Sequence, residues 1–126
     1  MTRIRQKTAR HLKESQNTAA FPISFNEVDM SNIMDFRKNN KDSVSGSYGV
    51  NLGFMGAMAK ASVLALKEIP AVNTSVENDD TIVYRNYVDL HVAASIPKGL
   101  VTPILWNNES MSIVEIERGI LSLSQR

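Results

Sequence analysis

The sequence predicts an α/β domain in which a two-layer mixed sheet carries packed helices, and three stretches predict it. Val88, Leu90, Val92, Ala94 and Ile96 alternate with Asp89, His91, Ala93 and Ser95, the two-residue period of a strand with one buried face. Pro97, Lys98 and Gly99 punctuate the chain before a second apolar run, Leu100 to Leu105, so residues 88–105 read as a β-hairpin. Phe54 to Ile69 is apolar almost all round and is stopped by Pro70, which predicts a buried helix across the sheet. Ile113, Ile116, Ile120 and Leu123 repeat at helical intervals, which predicts an amphipathic helix at the C-terminal end. Two strands alone are marginal in water, so the hairpin calls for further strands and a helical cover.

A length of 126 residues suits one domain. Hydrophobic and charged shares of 43% and 21% separate the chain from disordered sequences, which are poorer in apolar residues and more charged. A net charge of +1 argues against a dedicated nucleic-acid binder. With no Cys there is no disulfide framework and no thiol chemistry, which suits a reducing compartment. No apolar run reaches the length of a membrane span, so a soluble chain without a membrane partner is expected.

Taken in order, residues 1–13 carry Arg3, Arg5, Lys7, Arg10 and Lys13 with no acid before Glu14. Ile4, Ala9 and Leu12 give this stretch a narrow apolar stripe. A targeting segment or a polyanion-binding arm has this character; the plainer reading is a solvated helix docked on the domain. Phe21, Ile23 and Phe25 alternate up to Val28, predicting a first strand over 21–29 whose start, at Pro22, lies on an edge. Asp29 or Ser31 then offers a side-chain oxygen to cap a helix carrying Ile33, Met34 and Phe36. That helix is expected to end at Arg37 and Lys38, where its dipole favours cations; the functional alternative makes Arg37 a phosphate contact. Residues 39–51, rich in Asn, Ser, Asp and Gly, read as a mobile loop or a boundary.

In the Phe54 helix, Met55 and Met58 read as core filler. Asn73–Val76 and Thr81–Arg85 predict a short hairpin around Glu77, Asn78, Asp79 and Asp80. Asp79 and Asp80 are solvated turn residues in this reading, because adjacent acids in a turn point different ways and make poor joint metal ligands. Pro103 supplies no N–H, so its strand should be an edge or be bulged there. Ser112 and Glu115 have the spacing of a capping box.

No Gly-rich phosphate loop, zinc spacing or G-x-S-x-G elbow appears. The two histidines are His11, in the basic helix, and His91, on the less apolar face of the central strand. A general base needs an orienting partner and a substrate beside it; neither neighbourhood supplies them, so both are read as structural or solvated.

Several segments together resemble the catalytic core of the acyltransferases of 2-oxoacid dehydrogenase complexes, in particular the succinyltransferase branch of the 2-oxoglutarate dehydrogenase complex. They are Asn17–Ala20, Phe25–Ser31, Leu52–Met55, Glu68–Asn73, Ile82–Arg85, then Pro97, Gly99, Leu100 and Val101, and Glu109–Met111. Met1–Arg5 resembles the opening of that core, which makes the basic stretch its first helix rather than a targeting peptide.

The resemblance implies a chloramphenicol-acetyltransferase-like fold, with residues 1–126 as the N-terminal half of the core and the lipoyl and subunit-binding domains absent. It implies succinyl transfer between dihydrolipoyl-lysine and coenzyme A, both as substrates, with no metal. Implied partners are further copies of the chain, in trimer-type association, and other subunits of the 2-oxoglutarate dehydrogenase complex, with no nucleic acid and no membrane. The implied location is the mitochondrial matrix in a eukaryote and the cytoplasm in a bacterium.

In the family a His-x-x-x-Asp-Gly motif supplies the base that activates the thiol. Here Ser15 stands four residues after His11 and Ser95 four after His91, so no catalytic residue is assigned and the chain is expected to be inert alone. Arg37 matches an arginine of the family that contacts coenzyme A, and a guanidinium suits a phosphate. Lys98 and Trp106 stand where relatives usually have Arg, and residues 43–47 diverge. A half core should leave a sheet edge unpaired and the Phe54 helix partly uncovered. The alternative function is therefore a non-catalytic assembly module.

Overall fold

The structure is a computed structural model that describes residues 1–96 and 99–124. Its helices are α1 (Arg3–Thr18), α2 (Ser31–Tyr48), α3 (Phe54–Glu68) and α4 (Ile113–Ser124). Its strands are β1 (Thr74–Glu77), β2 (Thr81–Tyr84), β3 (Leu90–His91), β4 (Ala94–Ile96), β5 (Gly99–Val101) and β6 (Ile104–Leu105). Single 3-10 turns follow α3 at Pro70–Val72 and precede α4 at Asn108–Ser110.

The expected 73–85 hairpin is present, with β1 antiparallel to β2 from Thr74↔Tyr84 to Glu77↔Thr81. It reverses through Asn78 (φ 53°) and Asp79 (φ 64°), the residue types that tolerate the left-handed region best after glycine. The 88–105 hairpin is present in two pieces: β4 pairs with β5 and β3 with β6. Between the pieces, Val92 donates its N–H to the Pro103 carbonyl at 3.2 Å. Pro103 has no N–H to return, and the ladder breaks there. Pro97 and Lys98, at the expected turn, lie outside the described residues. Among the described residues the strands pair two by two, in three antiparallel ribbons.

The core lies where α3 packs on α4 and on the Asn108–Ser110 turn, with β6 against α4. It buries Val50, Leu52, Ala59, Val63, Val88 and Ile116. The capping box of α4 forms as its spacing predicts: Ser112 N–H donates to Glu115 Oε2 at 2.7 Å, and Glu115 N–H to Ser112 Oγ at 3.3 Å. Gly119 lets the helix meet β6 closely, because a Cβ there would lie 2.5 Å from Leu105 Cδ1. Asn108, fully buried, donates from Nδ2 to the carbonyls of Leu105 (2.5 Å) and Val88 (3.3 Å). Its backbone N–H reaches the Val88 carbonyl at 2.7 Å. Together these bonds fasten the exit of β6 to the entrance of β3.

Four expectations require correction. Residues 21–29 are not a strand: they have no pairing partner among the described residues, and Phe21, Ile23, Phe25 and Val28 are exposed, Phe25 to 93%. Alternation gives a chain two faces, but a strand also needs a neighbour for its N–H and C=O groups.

The helix that starts at Ser31 does not stop at Lys38. It runs through the expected loop to Tyr48, because Asn, Asp and Ser cost only fractions of a kcal/mol per residue in a helix. The stop is Gly49, left-handed at φ 66°, whose N–H closes on the Ser45 carbonyl at 2.9 Å. At its start, Asp29 Oδ1 accepts from Ser31 N–H at 2.9 Å.

α3 has the expected length, but its buried residues are only Gly56, Ala59 and Val63. Met55 and Met58 are exposed and are not core filler, and α3 packs chiefly on α4 rather than across a sheet. Finally, α1 forms with Thr2 Oγ1 accepting from Arg5 N–H at 3.4 Å, but every residue of it is exposed, so it is not docked.

The accessible surface is 10487 Å², against about 6,700 Å² for a compact monomer of 14.0 kDa. Residues 1–48 contain no buried residue and carry much of the surplus.

Candidate functional site

The junction between α2 and α3 gathers the polar groups with the most specific geometry. After Gly49 turns the chain out of α2, Val50 and Leu52 are buried, which pins the strap 50–53 against the core. α3 begins at Phe54 with Gly53 as its N-cap, and Gly53 has no side chain to satisfy the first amides of the helix. Glu117 does so from α4: its Oε1 accepts from Gly53 N–H at 3.1 Å and from Gly56 N–H at 2.7 Å. The carboxylate thus sits at the positive end of the α3 dipole. A Cβ on Gly53 would lie 2.9 Å from Glu117 Oε1, and one on Gly56 would lie 2.7 Å from Glu117 Cγ. The two glycines are what let the acid in.

Arg37 approaches the same strap from α2. Half-buried, it donates Nε–H to the Leu52 carbonyl at 2.8 Å, and its guanidinium lies over the Phe54 ring, 5.2 Å from the centroid. Nε is thereby committed to the protein, and the two Nη groups of the fork are donors of the kind that pair with anions. Arg118 Nη2 donates to the Tyr48 carbonyl at 3.4 Å and ties α4 to the end of α2. Beside the strap runs a cleft of about 290 Å³ lined by Val50, Asn51, Gly53, Glu117, Ile120 and Leu121.

Sequence reasoning singled out Arg37 but missed Glu117. One signal was available: Glu117 stands four residues after Ile113 and three before Ile120, on the apolar stripe of α4, where an acid needs a partner. The histidines lie elsewhere. His91 is on β3 and exposed. His11 is on α1, its Nδ1 3.9 Å from Glu14 Oε2 with both side chains about two-thirds exposed, beside a groove lined by Arg3, Ile4, Gln6, Lys7 and Arg10. Asp80 accepts from Thr81 Oγ1 at 2.8 Å in its turn. Among the described residues no three His, Asp or Glu side chains are grouped to hold a metal, and no helix is long and apolar enough to cross a membrane. Trp106 is exposed, and Lys98 is outside the described residues.

Comparison with known proteins identifies the family. The family model described as 2-oxoacid dehydrogenases acyltransferase (catalytic domain) matches residues 1–126. The chain is 52% identical over 126 residues to the mitochondrial dihydrolipoyllysine-residue succinyltransferase component of the 2-oxoglutarate dehydrogenase complex of Saccharomyces cerevisiae; the match covers 100% of this chain and 27% of that protein. Among solved structures it resembles dihydrolipoamide acetyltransferase of Azotobacter vinelandii, with TM-score 0.90 and 26% identity, covering 99% of this chain and 51% of that one. The cubic core of the pyruvate dehydrogenase multienzyme complex matches with the same values. The chain thus spans about half of the solved cores and little more than a quarter of the yeast relative.

Proposed function

Because this chain belongs to the 2-oxoacid dehydrogenase acyltransferase family, we propose that it supplies the N-terminal half of a succinyltransferase core, binding coenzyme A through Arg37 without turning it over alone. The observation that carries the reading is the whole-length match to the family's catalytic domain together with 52% identity to a succinyltransferase. The substrates of that reading are coenzyme A and dihydrolipoyl-lysine, and the acyl group is succinyl.

Arg37 suits its part in this reading. Its Nε–H is held by Leu52 and its guanidinium carbon sits over the Phe54 ring, so the Nη edge is restrained before a phosphate arrives and loses little freedom on binding. The base is another matter. Neither His11 nor His91 sits in the His-x-x-x-Asp-Gly motif, and a base and an oxyanion donor are each worth orders of magnitude in rate.

Two measurements test this. Coenzyme A binding by calorimetry is expected to weaken about tenfold in Arg37→Ala, the scale of one charge-assisted contact. A succinyl-transfer assay with dihydrolipoamide is expected to give no turnover above background; turnover would overturn the inert half of the proposal.

The surplus surface favours a second reading, an assembly module of the 2-oxoglutarate dehydrogenase complex. The difference between 10487 Å² and the compact value is of the order buried in obligate interfaces. One solved relative forms a cubic core. Self-association, trimer-type by resemblance, follows in this reading, in the mitochondrial matrix of a eukaryote or the cytoplasm of a bacterium. Light scattering from a clean, monomeric sample that captures no other component of the complex would remove it.

A further inference from the structure

The Leu52–Gly53 peptide is held from both sides. Its C=O accepts Arg37 Nε–H at 2.8 Å, and its N–H donates to Glu117 Oε1 at 3.1 Å. A hydrogen bond at one end of an amide polarises the group and strengthens the bond at the other. The carboxylate of α4 and the guanidinium of α2 are therefore joined through one peptide unit, without touching. The second bond of Oε1, to Gly56 N–H at 2.7 Å, fixes the carboxylate against the first turn of α3. The peptide plane then has little freedom to rotate, and its carbonyl stays aimed at Arg37.

We infer that Glu117 is a positioning residue for Arg37, acting through the Leu52–Gly53 peptide to hold the guanidinium in the orientation that receives the phosphate of coenzyme A. The coenzyme part of this rests on the function proposed above; the positioning part stands on the bonds alone. Glu117 touches no substrate in this account. Its effect reaches the ligand only through Arg37, and the glycines at 53 and 56 are needed because any Cβ there meets the Glu117 side chain.

The test reads Arg37 directly, in the full chain, by the exchange rate of its Nε–H in nitrogen-15 NMR, with coenzyme A affinity measured alongside. Glu117→Ala is expected to speed that exchange about tenfold and to weaken coenzyme A about tenfold, the scale of one lost bond to a charged group. Glu117→Gln keeps an acceptor oxygen of the same shape and is expected to recover most of both. Gly56→Ala leaves every charge in place but displaces Glu117, and should reproduce the alanine phenotype. Amide shifts of the β1–β2 hairpin report whether the fold survives. If Glu117→Ala does not fold, Glu117→Gln and Gly56→Ala carry the test.

Unchanged Nε–H exchange in folded Glu117→Ala, or in folded Gly56→Ala, overturns the inference, as does a Glu117→Gln variant that exchanges as fast as folded Gly56→Ala. The two proposals fail differently. Should Arg37→Ala weaken coenzyme A while Glu117→Ala changes neither exchange nor affinity, the positioning is wrong and the coenzyme site stands. Should coenzyme A bind equally with and without Arg37 while Glu117→Ala still frees its Nε–H, the coenzyme site is wrong and the positioning stands.

Discussion

Helices α1 and α4 show what an amphipathic pattern does and does not decide. Both put apolar residues on one stripe, and both are capped by a side chain, Thr2 in α1 and Ser112 with Glu115 in α4. Yet Ile116 of α4 is fully buried, whereas Ile4 and Leu12 of α1 are 80% and 65% exposed. Local spacing and caps are enough to make the helix; burial requires a second surface. α4 has α3 and β6. α1 is exposed along its whole length, and its apolar stripe stays in solvent.

The sharpest way to break this contrast is to truncate one residue on each helix. Ile116→Ala removes a fully buried side chain between α3 and α4 and is expected to cost about 2–5 kcal/mol, read from the urea midpoint. Leu12→Ala should stay within about 0.5 kcal/mol, because an exposed leucine loses few contacts. A loss from Leu12→Ala comparable to that from Ile116→Ala would mean that α1 is packed in solution.

Two helical glycines sharpen the same point at smaller scale. Gly119 faces Leu105 Cδ1 with no room for a Cβ, while nothing lies within 4 Å of a Cβ on Gly46 in α2. Gly119→Ala is expected to destabilise by about 1–3 kcal/mol through overpacking. Gly46→Ala is expected to stabilise α2 by about 0.5–1 kcal/mol, since alanine gives up less backbone freedom. Thermal melts followed by circular dichroism read both. A destabilising Gly46→Ala would reveal a neighbour on α2.

What was legible in the sequence follows the range of the interactions. The α4 capping box and the Glu77–Asp80 turn each depend on a few adjacent residues, and the structure has both; Pro103, expected on an edge or at a bulge, stands instead in a gap between β5 and β6. The 21–29 strand failed because pairing is not a local property. The end of α2 was misplaced because Lys38 is a preference for cations at a C-terminus, not a stop, and the chain stops where Gly49 turns left-handed. Glu117 showed only as an acid on the apolar stripe of α4; its partners could not be read, because the amides it caps lie 61 and 64 residues away in sequence. Arg37 was found by likeness to the family, but its bond to Leu52 depends on how the strap 50–53 is folded.

Acid titration is the gentlest probe of the two regions. Glu109 and Glu115 belong to the packed region. A hydrogen bond from Val88 N–H holds the Glu109 carboxyl below its ordinary 4.5, and one from Ser112 N–H does the same for Glu115. Asp29 belongs to the exposed region, and its bonds to Ser31, the side-chain hydroxyl foremost, lower it from 3.8. A carboxyl with a depressed folded value stabilises the fold fully above its unfolded value and ceases to do so as pH falls through the folded one. Stability owed to Glu109 and Glu115 is therefore expected to be flat down to about pH 4.5 and to decline below it, and Glu109→Gln should flatten that decline. Protonating Asp29 should instead fray the first turn of α2 and leave the unfolding of the α3–α4 core unmoved, because the hydrogen bonds that lower Asp29 come from Ser31 and not from that core. Carbon-13 shifts of the three carboxyls, followed beside the amides of Ser31 and Val63, check this; a Val63 amide that moves with Asp29 would show that the two regions are coupled.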